Sequence, residues 1–429
     1  MMSNGTRWTI GAVVGALFLL PAARLAVVPS AAAPPESPAA KLSWMIPQDL
    51  PANPTQADAV AFAWQSFVAV NWPAKAGVRG VPDQTKLIGQ PGPVVWQTWK
   101  MPDEVFYADG GTPPPWNTYG GAAPPECKGT PGPLVLVRTS KVPANSANRA
   151  MRQAKEAVGG TLTDQHGDLV YFELRMNRTI FENIVTHQYY NVQGQNKAKS
   201  VLFPSGVMEI KASWRILTAA DSSVLNRYMR QSAWIYTPAS DGTPATCVSQ
   251  EVGLVGLHIT HKTLSRPEWI WATFEQVDNV PPFNSSTPGP VPYSFNNPTC
   301  PVTQCVPNQS TERNGKPTGI PTQVTRQVNI GAQAQAANPV WQQDLAAVLG
   351  SAYPYYQLVD VQWPQTPAAR PVGNPTPGLL ANTTMETYNG ATSACVNCHF
   401  TAQIQSGKRS SDYSFVLAEA HLRAPRARP

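Results

Sequence analysis

The sequence predicts an α+β fold, mainly antiparallel β with a few helices and long Pro/Gly-rich loops. Residues 206–217 (GVMEIKASWRIL) alternate, with Met208, Ile210, Ala212, Trp214 and Ile216 on one face and Glu209, Lys211, Ser213 and Arg215 on the other. Strand-like runs at 232–238, 251–263 and 268–276 follow at spacings that suit antiparallel connections, not helical crossovers, and further strands are expected at 168–176 and near 355–362. The 44 prolines and 30 glycines interrupt the chain too often for a helical bundle.

Residues 1–33 read as a secretory signal, with Arg7 in a short basic start, an apolar stretch from Trp8 to about Ala23, and small residues from Ser30 to Ala33 for cleavage. Pro21 and Arg24 break the run short of a spanning length, and no later segment is long and apolar enough. The processed chain is therefore expected in the bacterial periplasm, with no stable membrane span. Residues 34–55 read as a Pro/Ala linker and 56–429 as a single large domain. That domain opens on a mostly buried helix from Gln56 to about Val70, closed by Asn71-Trp72-Pro73. Short extended pieces such as Val94-Val95-Trp96 follow between glycines and prolines, then a surface helix over 145–158 ended by Gly159-Gly160. The strand at 168–176 places Val170, Phe172 and Leu174 on one face and leads into a helix-like piece to about Tyr190. Residues 278–325 form a Pro/Asn/Thr/Ser-rich excursion, a short helix is expected near 340–349, and 423–429 is a flexible basic tail. The formal charge of +6 is modest and partly carried by the signal and the tail, so nothing points to nucleic acid.

The chemistry concentrates in Cys395-Val396-Asn397-Cys398-His399, the C-x-x-C-H spacing for covalent attachment of one c-type haem. Two thiols three residues apart reach the vinyl groups on one edge of a porphyrin, and His399 is carried under the iron as proximal ligand. A lone disulfide, half a zinc site and a thioredoxin-like pair compete with that reading. Cys300 and Cys305 would be the second half of a zinc site, but they lie in a Pro/Asn-rich loop, and no βαβ unit surrounds the motif. Export leaves Cys127, Cys247, Cys300 and Cys305 for two disulfides, Cys300–Cys305 as the local pair and Cys127–Cys247 by elimination, although sequence alone allows three pairings.

The stretch Ser411-Asp412-Tyr413-Ser414-Phe415-Val416-Leu417 follows the motif closely. This late C-x-x-C-H with an Asp-aromatic-x-Phe signature resembles the C-terminal end of the cytochrome c′-beta family, over about 25 residues. The blocks MEIKASWR, GLHITHKT and WIWATFEQVDN are similar to segments of large bacterial periplasmic cytochrome c family proteins of mono-haem type. The resemblance implies a mainly antiparallel β fold with the C-terminal covalent haem segment packed beside it. The lysine that crosslinks the haem and the distal carboxylate of that family have no position here that aligns.

Function then turns on the sixth iron position. No methionine follows the motif, Met385 being the last, and His421 lies in the basic tail. His166 sits in a turn and His187 on the helix-like piece, where a satisfied surface or core role is the ordinary one. His258 and His261 are the candidate distal ligands or acid/base groups. Three apart on one strand, they point to opposite faces, so at most one looks toward the haem. Met208 and Met385 are lesser candidates, and Trp269, Trp271, Phe274 and Glu275 are candidates for the distal wall. Two functions follow: a redox protein exchanging one electron with a periplasmic donor or acceptor, and a haem enzyme or sensor whose open site takes NO, hydroxylamine or peroxide. A single motif argues against a di-haem peroxidase, and a purely structural haem is the third reading.

Overall fold

One long strand organises the sheet. Strand β5 (Thr246–His261) pairs antiparallel along one edge with β3 (Met208–Leu217). Its other edge takes β4 (Arg230–Thr237) at the start and β6 (Ile270–Gln276) at the end. Outside these lie β2 (Val170–Met176) on β3, β7 (Tyr356–Pro364) on β6 and β8 (Pro375–Thr376) on β7, all antiparallel. Among the described residues only β1 (Val135–Leu136) runs parallel, beside β4. The antiparallel α+β architecture expected from the alternation is the one observed. The computed structural model describes residues 42–119, 124–127, 134–136, 160–237, 239, 242–313, 317–367 and 374–423, all within one compact unit, Pro38–Pro429. The expected signal, the helix at 145–158 and most of the basic tail lie outside the described residues.

Helix α1 (Gln56–Val70) begins and ends where the apolar pattern places it. Thr55 caps it reciprocally with Asp58, and the Asn71 side chain holds the Phe67 carbonyl at 2.9 Å at its end. The helix packs on one face of the sheet through rings: Phe67 stacks on Phe274 with centroids 4.4 Å apart, Trp64 meets the same ring edge-on at 5.0 Å, and Phe62 lies 5.5 Å from His261. After α2 (Arg178–Thr186) and α3 (Val192–Lys197), α4 (Ala332–Ala346) completes this layer, its Trp341 stacked on Trp64 at 5.7 Å. It starts well before the expected 340 and carries Pro339, a residue that ordinarily ends a helix, in its interior. The missing amide bond is offset by buried Asn338, whose side chain brackets both backbone groups of Leu358 on β7.

Other departures have equally local causes. Val94-Val95-Trp96 does not continue as a strand: Val94 makes one bridge to Pro73 and the chain then turns through Trp96–Thr98. Strand β5 starts five residues before the expected 251, in an exposed, polar stretch with no hydrophobic pattern, because β4 and a disulfide at Cys247 hold it. Residues 42–55 lie on the body instead of hanging free, with Leu50 buried and the Ser265 amide donating to Asp49 at 2.8 Å. The excursion at 278–325 is anchored by Val280, Phe295 and Val324 in a second apolar cluster with Val170, Phe172 and Met385. No helix among the described residues is long and apolar enough to cross a membrane.

Both expected disulfides are present, Cys127–Cys247 and Cys300–Cys305. The first closes a separation of 120 residues, so it restrains the unfolded chain far more than the second, with its separation of 5. Replacing Cys127 and Cys247 together by serine should lower unfolding free energy by about 2–5 kcal/mol in denaturant titration, whereas the same change at Cys300 and Cys305 should cost less. Equal losses would show that loop length is not what the bridges act through.

Candidate functional site

Strand parity sorts the side chains of β3, β5 and β6 onto two faces. Ile210, Leu257, Ile259, His261 and Phe274 share the face covered by α1. Glu209, Ser213, His258, Thr260, Trp271 and Thr273 share the other, and across it lies the chain from about residue 380 to 420. Burying polar groups there is tolerable only because that segment supplies partners. Asn382 donates to Thr273 at 2.9 Å, Thr384 meets Ser213 at 2.7 Å, and Glu386 lies 3.4 Å from His258. Farther along, Asp412 pairs with Lys262 at 2.6 Å and the Ser414 hydroxyl donates to Glu209. Gly256 permits the approach, since a Cβ there would collide with Thr384 and Ser213.

The motif forms a single helical turn, α5 (Cys395–His399), tied to the sheet by the Val396 amide, which donates to Gln362 at 2.8 Å. Positions i and i+3 of that turn put the Cys395 and Cys398 thiols on one side, both half-buried. Cys398 packs against Ala402, Phe415 and Ala418. The His399 ring lies 4.3 Å from Trp271 and 5.0 Å from Phe415, centroid to centroid. Its Nδ1 is 2.7 Å from the Tyr413 carbonyl oxygen. A carbonyl only accepts, so Nδ1 carries a proton; in the neutral ring the lone pair is then on Nε2, the tautomer and orientation an axial imidazole ligand needs. Two thiols on one turn, an oriented imidazole and apolar neighbours suit a covalently held haem.

The backbone around His399 is strained. Asp412 and Tyr413 have φ of 54° and 69°, and Trp269, at the entry to β6, has φ of 68°. Such left-handed conformations cost roughly 1–3 kcal/mol each for non-glycine residues and persist where surroundings over-determine them. Asp412 is held by Lys262 and by the Phe203 amide at 2.7 Å, Tyr413 by His399, and Trp269 by stacking on Trp271 at 5.9 Å.

The structure distributes the other sequence candidates as follows. His258 faces the C-terminal segment but is engaged with Glu386, while His261 lies on the opposite face, where burial pushes its pKa down to about 4. Met208 and Met385 are core residues of the two apolar clusters. His166 contacts Arg215 and Asp221, His187 bonds to the Asn183 carbonyl, and His421 bridges to Asn191. Cys300 and Cys305 are joined to each other, so they supply no thiolates for a zinc site with the motif. Of the four residues assigned to a distal wall, Trp271 lies against His399 itself, and Trp269 stacks on Trp271. Phe274 belongs under α1, and Glu275 bonds to Arg326 and Thr383. Lys262, Glu386 and Gln362 were not singled out as site residues. Parity alone would have flagged Lys262, two residues beyond Thr260 on the same face.

Burial raises the Glu209 carboxyl from 4.5 to about 7, against the lowering effects of the Ser414 hydroxyl and Lys211. The folded state therefore holds this proton more tightly than the unfolded chain, and stability falls as pH rises from about 4.5 to about 7. The contribution lost is on the order of 3 kcal/mol. Glu209→Gln should flatten the pH dependence of the melting temperature in that window, and an unchanged slope would assign it to other groups. Lys262→Met leaves Asp412 buried without its cation and should cost about 3–5 kcal/mol in denaturant titration.

Compared with known proteins, the chain matches no protein-family model, no curated protein and no solved structure.

Proposed function

We propose that this protein is a periplasmic mono-haem c-type cytochrome that exchanges an electron with a periplasmic donor or acceptor. The observation that carries the reading is the 2.7 Å bond from His399 Nδ1 to the Tyr413 carbonyl, on the same turn as Cys395 and Cys398. An imidazole locked in that tautomer is what axial ligation demands, and a solvated histidine after a disulfide has no need of it. Each thiol would add across one vinyl group, sulfur to one carbon and the thiol hydrogen to the other, with nothing released. The bound group would supply one-electron chemistry. The chain's part is to hold the ring through Cys395 and Cys398, aim Nε2 of His399, and exclude water with Trp271 and Phe415. The resemblance of residues 411–417 to the cytochrome c′-beta signature agrees, since Asp412, Tyr413 and Phe415 all bear on His399 or its support.

A second reading, a haem enzyme or sensor with an open sixth site for NO, hydroxylamine or peroxide, is favoured by one observation. His258, His261, Met208 and Met385 are each engaged away from the motif turn.

After periplasmic expression with maturation machinery, the denatured protein should retain its haem and give a c-type pyridine haemochrome. Cys395→Ala with Cys398→Ala should lose it, and haem stripped from the wild type by acid–acetone would overturn the proposal. The ferrous spectrum separates the two readings. A high-spin spectrum that shifts on adding CO selects the open site, and a low-spin spectrum indifferent to CO selects electron transfer.

A further inference from the structure

The loop that leaves the motif carries charge that haem attachment does not use. After His399 the chain folds into a short antiparallel hairpin, closed by the Ser411 amide on the Ala402 carbonyl and the Ile404 amide on the Arg409 carbonyl, each at 3.0 Å. Its tip rests on the end of α3. Ser406 donates to the Asn196 side chain at 2.7 Å, the Gln405 amide to Gln195 at 3.0 Å, and the Arg409 guanidinium to the Asn196 carbonyl at 3.4 Å. Lys408 precedes Arg409 on the tip, and Lys197 and Lys199 lie just beyond Asn196, so four cations meet on two chain segments. The three lysines are exposed. Neither 187–205 nor 400–411 contains an aspartate or glutamate, and no carboxylate bridges to any of the four cations among the described residues. Unpaired like charges gathered on one patch create a local positive field that attracts an acidic surface.

The same patch is joined to the motif by direct contacts. The Ala402 amide at the base of the hairpin donates to the His399 carbonyl at 3.0 Å. Three residues past Lys199, Leu202 is 58 % exposed, and the neighbouring Phe203 is buried. The Phe203 ring lies edge-on to Trp269 at 6.2 Å, Trp269 stacks on Trp271 at 5.9 Å, and Trp271 is 4.3 Å from His399. A series of rings therefore runs from the imidazole to the foot of the patch.

We propose that this surface, which rests on the cytochrome reading above, docks an electron-transfer protein through that protein's acidic face. Charge complementarity selects the sign of the partner, and Leu202 offers an apolar contact beside the cations. Transient redox encounters need only a small area, so four cations and one exposed leucine suffice. A redox protein is favoured over an anionic membrane because the cations gather on segments in contact with the motif turn, where an electron has to pass.

The probe is flavodoxin, an acidic one-electron carrier, titrated against the haem-loaded full-length protein. Binding followed by interferometry should weaken about tenfold or more between about 10 mM and about 300 mM salt, as the facing charges are screened. Lys199→Glu with Lys408→Glu should weaken it about tenfold at low salt. Lys75→Glu with Lys86→Glu makes the same change in net charge elsewhere. Those lysines lie on the loop whose Gly89 meets Ser351 ahead of β7, whereas the motif turn is tied to Gln362 near the end of that strand. This second pair should alter affinity by less than about twofold. None of the four lysines is buried, so both pairs should leave the melting temperature unchanged. In stopped flow, the flavodoxin hydroquinone anion gives up one electron and becomes the neutral semiquinone while ferric haem becomes ferrous, and the rate should follow the binding. Absence of covalent haem from the preparation would end the cytochrome reading itself. With haem present, no flavodoxin binding, salt-independent binding, equal losses in the two pairs, or attachment to phosphatidylglycerol vesicles in place of flavodoxin would each overturn the docking surface.

Discussion

The sheet has no face for solvent at its centre, and its second face is polar. That constraint shapes the C-terminal part of the molecule. Glu209, Ser213, His258, Lys262, Thr273 and Glu275 are all buried, and each would cost free energy without a partner. The segment from Asn382 to Ser414 answers them in order along the chain: Thr273 and Glu275 through Asn382 and Thr383, Ser213 through Thr384, His258 through Glu386, Lys262 through Asp412, Glu209 through Ser414. Apolar packing tolerates sliding, because it is proportional to area and has no direction. A row of directed polar contacts does not. Slipping the segment by one residue would leave several buried groups unpaired at once, so its register on the sheet is determined by polar contacts and the motif turn is carried to one place.

Ion pairs of this kind are weak evidence for stability, since desolvation consumes much of their attraction. Lys262 and Asp412 are better understood as a positional device. They hold Asp412 in a left-handed conformation, and the next residue, Tyr413, is held likewise, so that its carbonyl turns toward His399. The strain is localised where direction matters, while the rings of Phe62, Trp64, Phe67 and Phe274 on the far face supply nondirectional burial, roughly 1.5–3 kcal/mol per fully buried side chain.

Much of this was legible in the residues. The helix over 56–70 is announced by its apolar turns, the parity of 206–217 separates the two faces correctly, and the same parity sends His258 and His261 to opposite sides. The four spare cysteines pair as elimination suggests. What local pattern does not carry is the identity of a cover. Ser414 lies 205 positions from Glu209 and Asp412 lies 150 from Lys262, and no periodicity links residues so far apart. Pro339 hides the first half of α4 for a related reason, because the compensating partner of Asn338 is a backbone on another strand. Trp271 is visible as an aromatic near the site, but only packing decides that it meets the imidazole that would ligate the iron instead of the opposite side of the haem.

Orienting His399 through a main-chain carbonyl has a consequence of its own. A side-chain acceptor such as a carboxylate would place a full negative charge beside the imidazole and raise its basicity, whereas the Tyr413 carbonyl fixes the tautomer with only a dipole. The acceptor is independent of the Tyr413 side chain, yet its aim depends on two successive left-handed residues. Glycine would adopt that backbone without strain. At 412 it would forfeit the carboxylate that Lys262 and the Phe203 amide hold, and at 413 the ring packed 6.2 Å from Phe400. Side chains that cost strain locally are thus the ones that tie the turn to the sheet, and the imidazole is aimed by the difference between those two effects.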